Sequence, residues 1–189
     1  LESARHRTLV IGEDLGTVPA QFREQMSRAR VLQYKLLMFM KDGAGNFIPP
    51  ESYPCDALAA FGTHDVATLS GYFEKRDLEL RTNLGIFPTP EFEVRLRDER
   101  VQDIAGIARL LEHAGVSAEW LDGLTGEEQE LERLSGINRF LARTPSYLVV
   151  VPLEDLVGEL EQVNVPGVTT EYPCWQRRLP LSIAELRRS

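Results

Sequence analysis

A chain of 189 residues, 43% of them hydrophobic, is long enough to bury a core and would ordinarily form one domain. Its formal net charge of -8 argues against nucleic acid or an anionic membrane surface as a partner. No apolar run approaches the roughly 18 residues of a membrane helix, and no charged-then-apolar leader opens the chain. Cys55 and Cys174 stand far apart, outside any Cys-x-x-Cys spacing. We therefore predict free thiols in a reducing compartment, by default the cytoplasm.

The first part of the chain predicts three strands. An apolar run at residues 8–12 predicts the first, and Pro19 marks the start of a helix that continues to about residue 29. The run at residues 34–39 predicts a second, buried strand, and residues 58–62 predict a third. Residues 41–56 between them form a long loop rich in glycine and proline, and such a long connection usually has a function.

The second part predicts mainly helices, with one further strand. Helical spacing of apolar residues predicts an amphipathic helix at residues 91–113, after a helical stretch around residues 68–75. A helix at about residues 126–143 precedes a fourth strand at 147–151, and residues 153–160 predict a short helix. The repeated order of strand and helix predicts an α/β fold with a parallel sheet.

Carboxylates follow two of these strands. Glu13 opens the turn Glu-Asp-Leu-Gly after the first strand, and Asp65 closes Gly-Thr-His-Asp after the third. In a barrel of alternating strands and helices, catalytic groups collect at this end of the strands. Two carboxylates there suggest chemistry on a glycosidic bond, one as proton donor and one as charge stabiliser. An acid after a strand is, however, more often a helix cap or a surface residue.

Phosphate and metal sites are the alternatives for the same turns. The turn at residues 13–16 lacks the lysine and the full glycine pattern of a phosphate-binding loop. The His64-Asp65 pair is also found in metal-dependent phosphohydrolases, but the other histidines, His6 and His113, have no ligand spacing. We therefore predict no metal site.

Several ordered motifs together resemble a known family. They are Gly-Glu-Asp-Leu-Gly at 12–16 with Thr-Val-Pro at 17–19, Gly-Thr-His-Asp at 62–65, Asn-Val-Pro-Gly at 164–167, and Tyr172-Pro173 with Trp175 and Arg177. Their order and spacing resemble the C-terminal part of 4-α-glucanotransferases, also called amylomaltases or disproportionating enzymes, over about residues 3–180. The resemblance is greatest to the bacterial branch that processes maltodextrins.

The resemblance implies a fold and a position within it. The family has a (β/α)₈ TIM barrel of the α-amylase clan, with Glu13 at the end of the fifth strand and Asp65 at the end of the seventh. Residues 1–189 would then be the C-terminal half of the catalytic barrel, about strands 5 to 8, without its N-terminal half.

The resemblance also implies roles for five residues. Glu13 matches the general acid/base, which must be protonated and therefore needs surroundings that exclude water. Asp65 matches the carboxylate that stabilises the positively charged transition state. His64 matches a residue that contacts the sugar at the cleavage subsite. Asp42 and Asn164 match positions that line the glucan groove.

The implied activity is a retaining transfer of α-1,4-glucan segments between maltooligosaccharides, without a cofactor or a metal. Its physiological setting is the metabolism of maltodextrin, glycogen or starch in the cytoplasm. The alternative, from a different functional class, is a non-catalytic α/β domain that binds glucan or a partner protein and keeps the motifs as relics.

Departures from the family pattern qualify this interpretation. The family's nucleophile is an aspartate at the end of the fourth strand, upstream of Glu13, and only twelve residues precede Glu13 here. We therefore expect these 189 residues alone to be inactive. Met40 stands where relatives often have an acid, and Cys174 replaces the asparagine usual before Trp175. Half a barrel leaves two sheet edges open, so we also expect self-association of the isolated chain.

Overall fold

A computed structural model describes residues 2–118 and 126–188. The helices and strands of these residues are, in chain order, α1 (Glu2–His6), α2 (Ala20–Arg28), β1 (Gln33–Leu36), β2 (Ala57–Ala60), α3 (Leu69–Phe73), α4 (Arg76–Asn83), α5 (Pro90–His113), α6 (Gly126–Leu141), β3 (Leu148–Val149), α7 (Leu153–Leu156) and α8 (Ile183–Leu186).

The three strands form one parallel sheet in the order β1-β2-β3, which confirms the predicted parallel arrangement. In the register, Tyr34 lies opposite Leu58, and Leu58 lies opposite Leu148. All four residues of the central strand, β2, are buried. A parallel strand covered on both faces reads as a continuous apolar run, which is why this strand is visible in the sequence.

The first predicted strand, residues 8–12, is reduced to a single parallel bridge between Ile11 and Leu32. Two backbone hydrogen bonds hold it, from Gly12 N to Leu32 O at 2.8 Å and from Leu32 N to Val10 O at 2.9 Å. Leu9, Val10 and Ile11 are 47%, 40% and 41% exposed. The run was predicted as a buried strand because it is apolar, but the described residues do not cover it.

Two other strands are shorter than predicted. The second ends at Leu36, and a 3₁₀ helix, Leu37–Phe39, takes the rest of the predicted run. The fourth is only Leu148–Val149, although hydrogen bonds from Tyr147 N to Cys55 O and from Val150 N to Ala59 O continue its pairing at both ends.

The long amphipathic helix is confirmed within one residue at its start. Thr89 is the N-cap of α5, its hydroxyl accepting a hydrogen bond from Phe92 N at 3.2 Å, and Pro90 occupies the first turn. Proline is favoured at this position because the missing N–H has no partner within the helix. Ile107 and Leu111 of α5 are fully buried, whereas Val101 is 54% exposed, so the helix enters the core with its C-terminal half.

One apolar core joins β2 to helices α3, α5 and α6. Phe61, which follows β2, meets Tyr72 of α3 edge to face, with ring centroids 5.4 Å apart. Phe140 of α6 meets Tyr53 in the same way at 6.0 Å. Aromatic pairs in this geometry add to the free energy gained from burial alone. This packing holds the C-terminal end of β2 in place.

The connection at residues 41–56 is more ordered than the predicted loop. Lys41 and Phe47 form an antiparallel bridge, and Pro50–Ser52 form a 3₁₀ helix. Lys41 also forms an ion pair with Asp103 of α5, which ties the connection to the helix layer.

Cys55 and Cys174 are free, as predicted. Among the helices of the described residues, none combines the length and the apolarity that crossing a lipid bilayer requires.

Candidate active site

The turn after β2 positions His64 and Asp65. Gly62 is buried where the chain leaves the strand, and a Cβ there would lie 3.1 Å from Ala67 O and 3.3 Å from the Met38 side chain. The Thr63 hydroxyl then accepts a hydrogen bond from the backbone N–H of Asp65 at 3.2 Å. The turn is therefore tight, and it presents residues 64 and 65 at the carboxyl end of the central strand.

Asn164 meets this turn from a segment that is 99 residues further along the chain. Its side-chain amide donates to Asp65 Oδ1 at 2.7 Å, and its backbone N–H donates to the carbonyl oxygen of His64 at 3.0 Å. His64 Nε2 lies 3.5 Å from the same Asp65 oxygen. The structure thus brings together three of the five predicted site residues. Asp65 keeps an orientation set by Asn164 while its carboxylate stays part-exposed.

Trp175 extends this cluster. Its ring centroid lies 4.8 Å from that of His64, and its backbone N–H donates to Val163 O at 3.0 Å. Trp175 has a φ of 61°, in the left-handed region that a bulky residue rarely adopts, and its side chain is 63% exposed. Such strain persists where the surrounding structure imposes it, often at functional sites.

Glu13 lies at the carboxyl end of the neighbouring bridge. Extending the parallel register of Ile11 and Leu32 by two residues sets Glu13 beside Tyr34 of β1. Burial and the nearby Glu13 charge together raise the pKa of Tyr34. The Glu13 side chain is exposed, so the described residues do not supply the water-excluding surroundings that its predicted role needs.

Glu13 and Asp65 lie at the same edge of the sheet but are not in contact. No hydrogen bond or ion pair within residues 2–118 and 126–188 joins them. Because β1 lies between their strands, the strand axes are about 10 Å apart, at the usual spacing of neighbouring strands. The strands that lead to the two carboxylates are therefore separated by the width of one intervening strand.

Asp42 is not part of this cluster. Its carboxylate accepts hydrogen bonds from the backbone N–H groups of Ala44 and Asn46, both at 2.9 Å, and from the Asn46 side chain. The backbone N–H of Asn46 contributes most to lowering the pKa of Asp42. The residue thus closes its own exposed turn, and in the described residues its contacts are local.

Asp14 is a buried carboxylate that the sequence analysis did not single out. Its Oδ1 accepts from Tyr34 N at 2.8 Å, and its Oδ2 accepts from Lys35 Nζ and Arg23 Nε, both at 2.9 Å. Burial alone would raise the pKa of Asp14, but these three donors outweigh it, and the pKa is lowered. Asp14 therefore fixes the backbone that carries Glu13. Its only sequence signal is adjacency to Glu13.

Asp155 is the second such residue. It lies in α7, is 4% exposed, and accepts a hydrogen bond from Leu69 N at 2.7 Å. Burial raises the pKa of Asp155 to about 6; the Leu69 hydrogen bond opposes this shift and the charge of Glu154 adds to it. No periodicity or motif in the sequence marks this position.

A small cavity of about 110 Å³ adjoins the cluster and is lined by residues that include His64, Thr68, Asp155 and Trp175. It is smaller than the sites that usually enclose a small-molecule ligand. A larger cavity, about 430 Å³, lies between Phe47 and α5 and contains none of the predicted site residues. Within the described ranges, no three histidine, cysteine, aspartate or glutamate side chains are grouped to hold a metal ion.

Comparisons with known proteins agree over nearly the whole chain. A family model described as 4-alpha-glucanotransferase matches residues 1–183. The 4-alpha-glucanotransferase of Haemophilus influenzae is 34% identical over 187 residues, which are 97% of this chain and 26% of that relative. That of Mycobacterium tuberculosis is 36% identical over 186 residues, 96% of this chain and 24% of the relative.

A solved structure gives the same result. The amylomaltase of Corynebacterium glutamicum superposes with a TM-score of 0.86 at 30% sequence identity, covering 100% of this chain and 28% of that chain. The chain therefore spans about a quarter of the length of the curated relatives that it matches.

Proposed function

This chain belongs to the 4-alpha-glucanotransferase family, and from that premise we propose that the protein transfers α-1,4-glucan segments between maltooligosaccharides. The observation that carries the proposal is the cluster at the end of β2, where Asn164 orients the carboxylate of Asp65 beside His64. Glu13 also lies at the carboxyl end of the parallel strands, on the other side of β1 from Asp65.

We assign the two carboxylates different roles because their surroundings differ. Asp65 accepts a hydrogen bond from the neutral side-chain amide of Asn164, and its carboxylate can oppose the positive charge of an oxocarbenium-like transition state. Glu13 is the general acid/base that protonates the leaving oxygen. His64 contacts a sugar hydroxyl, and Asn164 and Asp42 line the groove. Bound glucan would exclude the water that reaches Glu13 when the site is open.

A retaining mechanism also needs a carboxylate nucleophile. The resemblance assigns none of the carboxylates of this chain to that role. Since about three quarters of each curated relative lies outside the match, we propose that this other part of the protein supplies the nucleophile. The 189 residues alone would then bind glucan weakly and transfer nothing.

For the same reason we propose that the sheet is part of a (β/α)₈ barrel, contributing about strands 5 to 8. The parallel order and the strand-helix alternation support this. The apolar side chains at both outer strands support it as well, since Val10 and Ile11 on one side and Val149 and Val150 on the other are about two-fifths exposed. Further strands would cover them.

Chain-length redistribution of maltotriose by the complete protein tests the proposal. The wild type should convert maltotriose into glucose and longer maltooligosaccharides. Glu13→Gln and Asp65→Asn should each lower the rate by about 10² to 10⁴ while maltotriose still binds. Glu24→Gln is the matched control, because Glu24 is an exposed carboxylate that pairs with Arg28 on the surface of α2, and it should leave the rate unchanged.

The same experiment separates the two functional classes. A wild type that binds maltooligosaccharides without redistributing them would contradict transfer and support the non-catalytic glucan-binding domain. Near-normal transfer by Glu13→Gln would remove Glu13 from its assigned role.

A further inference from the structure

The proposed mechanism does not use the buried carboxylate of Asp155. Asp155 is 4% exposed and lines the same small cavity as His64. Its one hydrogen bond within the described residues comes from the backbone N–H of Leu69, which is the first residue of α3. Burying a carboxylate costs free energy unless it is hydrogen-bonded or paired. The hydrogen bond from Leu69 therefore indicates the role of Asp155.

Leu69 directly follows the segment that carries the site residues. Residues 61–68 connect β2 to α3 and include both His64 and Asp65. The first N–H groups of a helix have no partner within it and need acceptors from outside. Here Asp155 accepts from Leu69, and the hydroxyl of Thr68 accepts from Gly71 N at 3.0 Å.

Asp155 begins a stretch of chain, residues 155–164, that contacts this region repeatedly, and we term it the clamp segment. Besides the Asp155 contact, the hydroxyl of Thr68 donates to the carbonyl oxygen of Glu159. Gly71 packs so closely on Leu160 that a Cβ would lie 2.3 Å from the Leu160 carbonyl oxygen. At the far end, Asn164 holds both His64 and Asp65.

The clamp segment therefore contacts the site turn at both ends, and Asp155 brings a buried carboxylate to these contacts. The ionisable side chains that line the cavity together with Asp155 are His64 and Glu154, and the charge of Glu154 acts on Asp155. Glu159 lies further along the clamp segment, where its carbonyl oxygen accepts from Thr68. Burial raises the pKa of Asp155 to about 6, so its charge state changes near neutral pH.

We propose that Asp155 is a positioning residue for glucan transfer, which holds the Leu69 N–H and thereby sets the turn that presents His64 and Asp65 to the sugar. The inference rests on the proposed function, because the turn matters for transfer only if Asp65 acts there. Asp155 itself touches neither the sugar nor the reacting atoms.

Three variants of the complete protein test this with maltotriose as substrate. Asp155→Ala removes the acceptor and should lower kcat by about 10- to 100-fold, with a smaller change in KM, since misplacing a catalytic group costs rate at this scale. Asp155→Asn keeps a neutral acceptor for the Leu69 N–H, so its kcat should lie between those of the wild type and Asp155→Ala. Ser70→Ala is the matched control, because Ser70 lies on the same helix and bonds to Glu130 of α6 instead of the clamp segment. It should leave kcat unchanged.

The pH dependence separates positioning from a merely structural role. The ratio of wild-type to Asp155→Asn kcat should be several-fold at pH 7.5 and should approach one at pH 5, where the wild-type carboxyl is also neutral. Glu13, His64 and Asp65 are present in both proteins, so any effect that they have on kcat is common to both and cancels in the ratio. A ratio that does not change with pH, or an Asp155→Ala kcat within twofold of wild type, would overturn the inference.

Hydrogen exchange of the Leu69 amide gives a readout that does not need activity. The amide should be protected in the wild type and in Asp155→Asn, and should exchange about tenfold faster or more in Asp155→Ala. If the wild type did not redistribute maltotriose, the proposed function would be wrong, while the exchange result would still decide whether Asp155 holds this turn.

Discussion

Replacing Asp14 with alanine removes the acceptor that joins the turn after Ile11 to β1. The Asp14 side chain is fully buried, and its carboxylate takes three donors, the backbone N–H of Tyr34, the ammonium of Lys35 and the guanidinium of Arg23. Lys35 is 14% exposed and Arg23 is 46% exposed. The truncation therefore leaves the nearly buried ammonium of Lys35 and the backbone N–H of Tyr34 without the carboxylate that they contact.

These exposures set the size of the effect. Removing one partner of a buried ion pair costs about 3–5 kcal/mol, because the remaining charge stays buried without compensation. The half-exposed Arg23 adds less than about 1 kcal/mol, since water screens it. We therefore expect Asp14→Ala to lower the free energy of unfolding by about 3–5 kcal/mol, a large part of the 5–15 kcal/mol typical of a folded domain. Glu13, which directly precedes Asp14, should lose its position, and the rate of glucan transfer should therefore fall.

Urea denaturation followed by circular dichroism at pH 7 measures this loss. Glu24→Ala is the control, since it removes an exposed ion pair with Arg28 and should change the free energy of unfolding by no more than about 0.5 kcal/mol. A loss below about 1 kcal/mol for Asp14→Ala would refute the argument from burial.

The pH dependence of the same difference is a second check. The folded state lowers the pKa of Asp14, so the stabilisation is fully present above the unfolded pKa of about 3.9 and is lost as pH falls through the folded pKa. Wild type and Asp14→Ala should therefore converge in stability as the pH falls below about 4. A difference that stays constant across this range would contradict the assigned ionisation.

Three further predictions concern packing and assembly. Gly71→Ala should destabilise the protein by about 1–3 kcal/mol in thermal unfolding, because the new Cβ would lie 2.3 Å from the Leu160 carbonyl oxygen; Gly43→Ala, with no atom within 4 Å of its Cβ, should be neutral, and equal effects would contradict the close packing. Arg100→Ala should cost about 3–5 kcal/mol in urea denaturation because it leaves Asp77 buried without its two hydrogen bonds at 2.7 and 2.8 Å, and a loss under 1 kcal/mol would count against it. Residues 1–189 produced alone should self-associate in light scattering, since both outer strands expose apolar side chains; a clean monomer that binds no apolar dye would show that the sheet edges are protected.

The sequence alone determined the elements whose signals are local. The central strand was visible because residues buried on both faces are continuously apolar, and Ala57–Ala60 are all buried. The helix Pro90–His113 was visible because its apolar residues recur at helical spacing within one continuous segment. The turn at residues 62–65 was identified because its polar residues directly follow a strand.

Only the tertiary structure decided which neighbours those elements acquire. The run at residues 8–12 is as apolar as a strand, yet it makes a single bridge because strand length depends on a partner that no local pattern specifies. Glu13 and Asp14 are adjacent carboxylates that the sequence does not distinguish. In the structure Asp14 is buried against Lys35 and has a structural role, whereas the exposed Glu13 is the candidate catalytic residue. Asp155 and Asn164 reach the site turn across 86 and 99 residues. Contacts over such distances arise from packing of the whole chain. For that reason Asn164 was predicted only through the family resemblance, and Asp155 was not predicted at all.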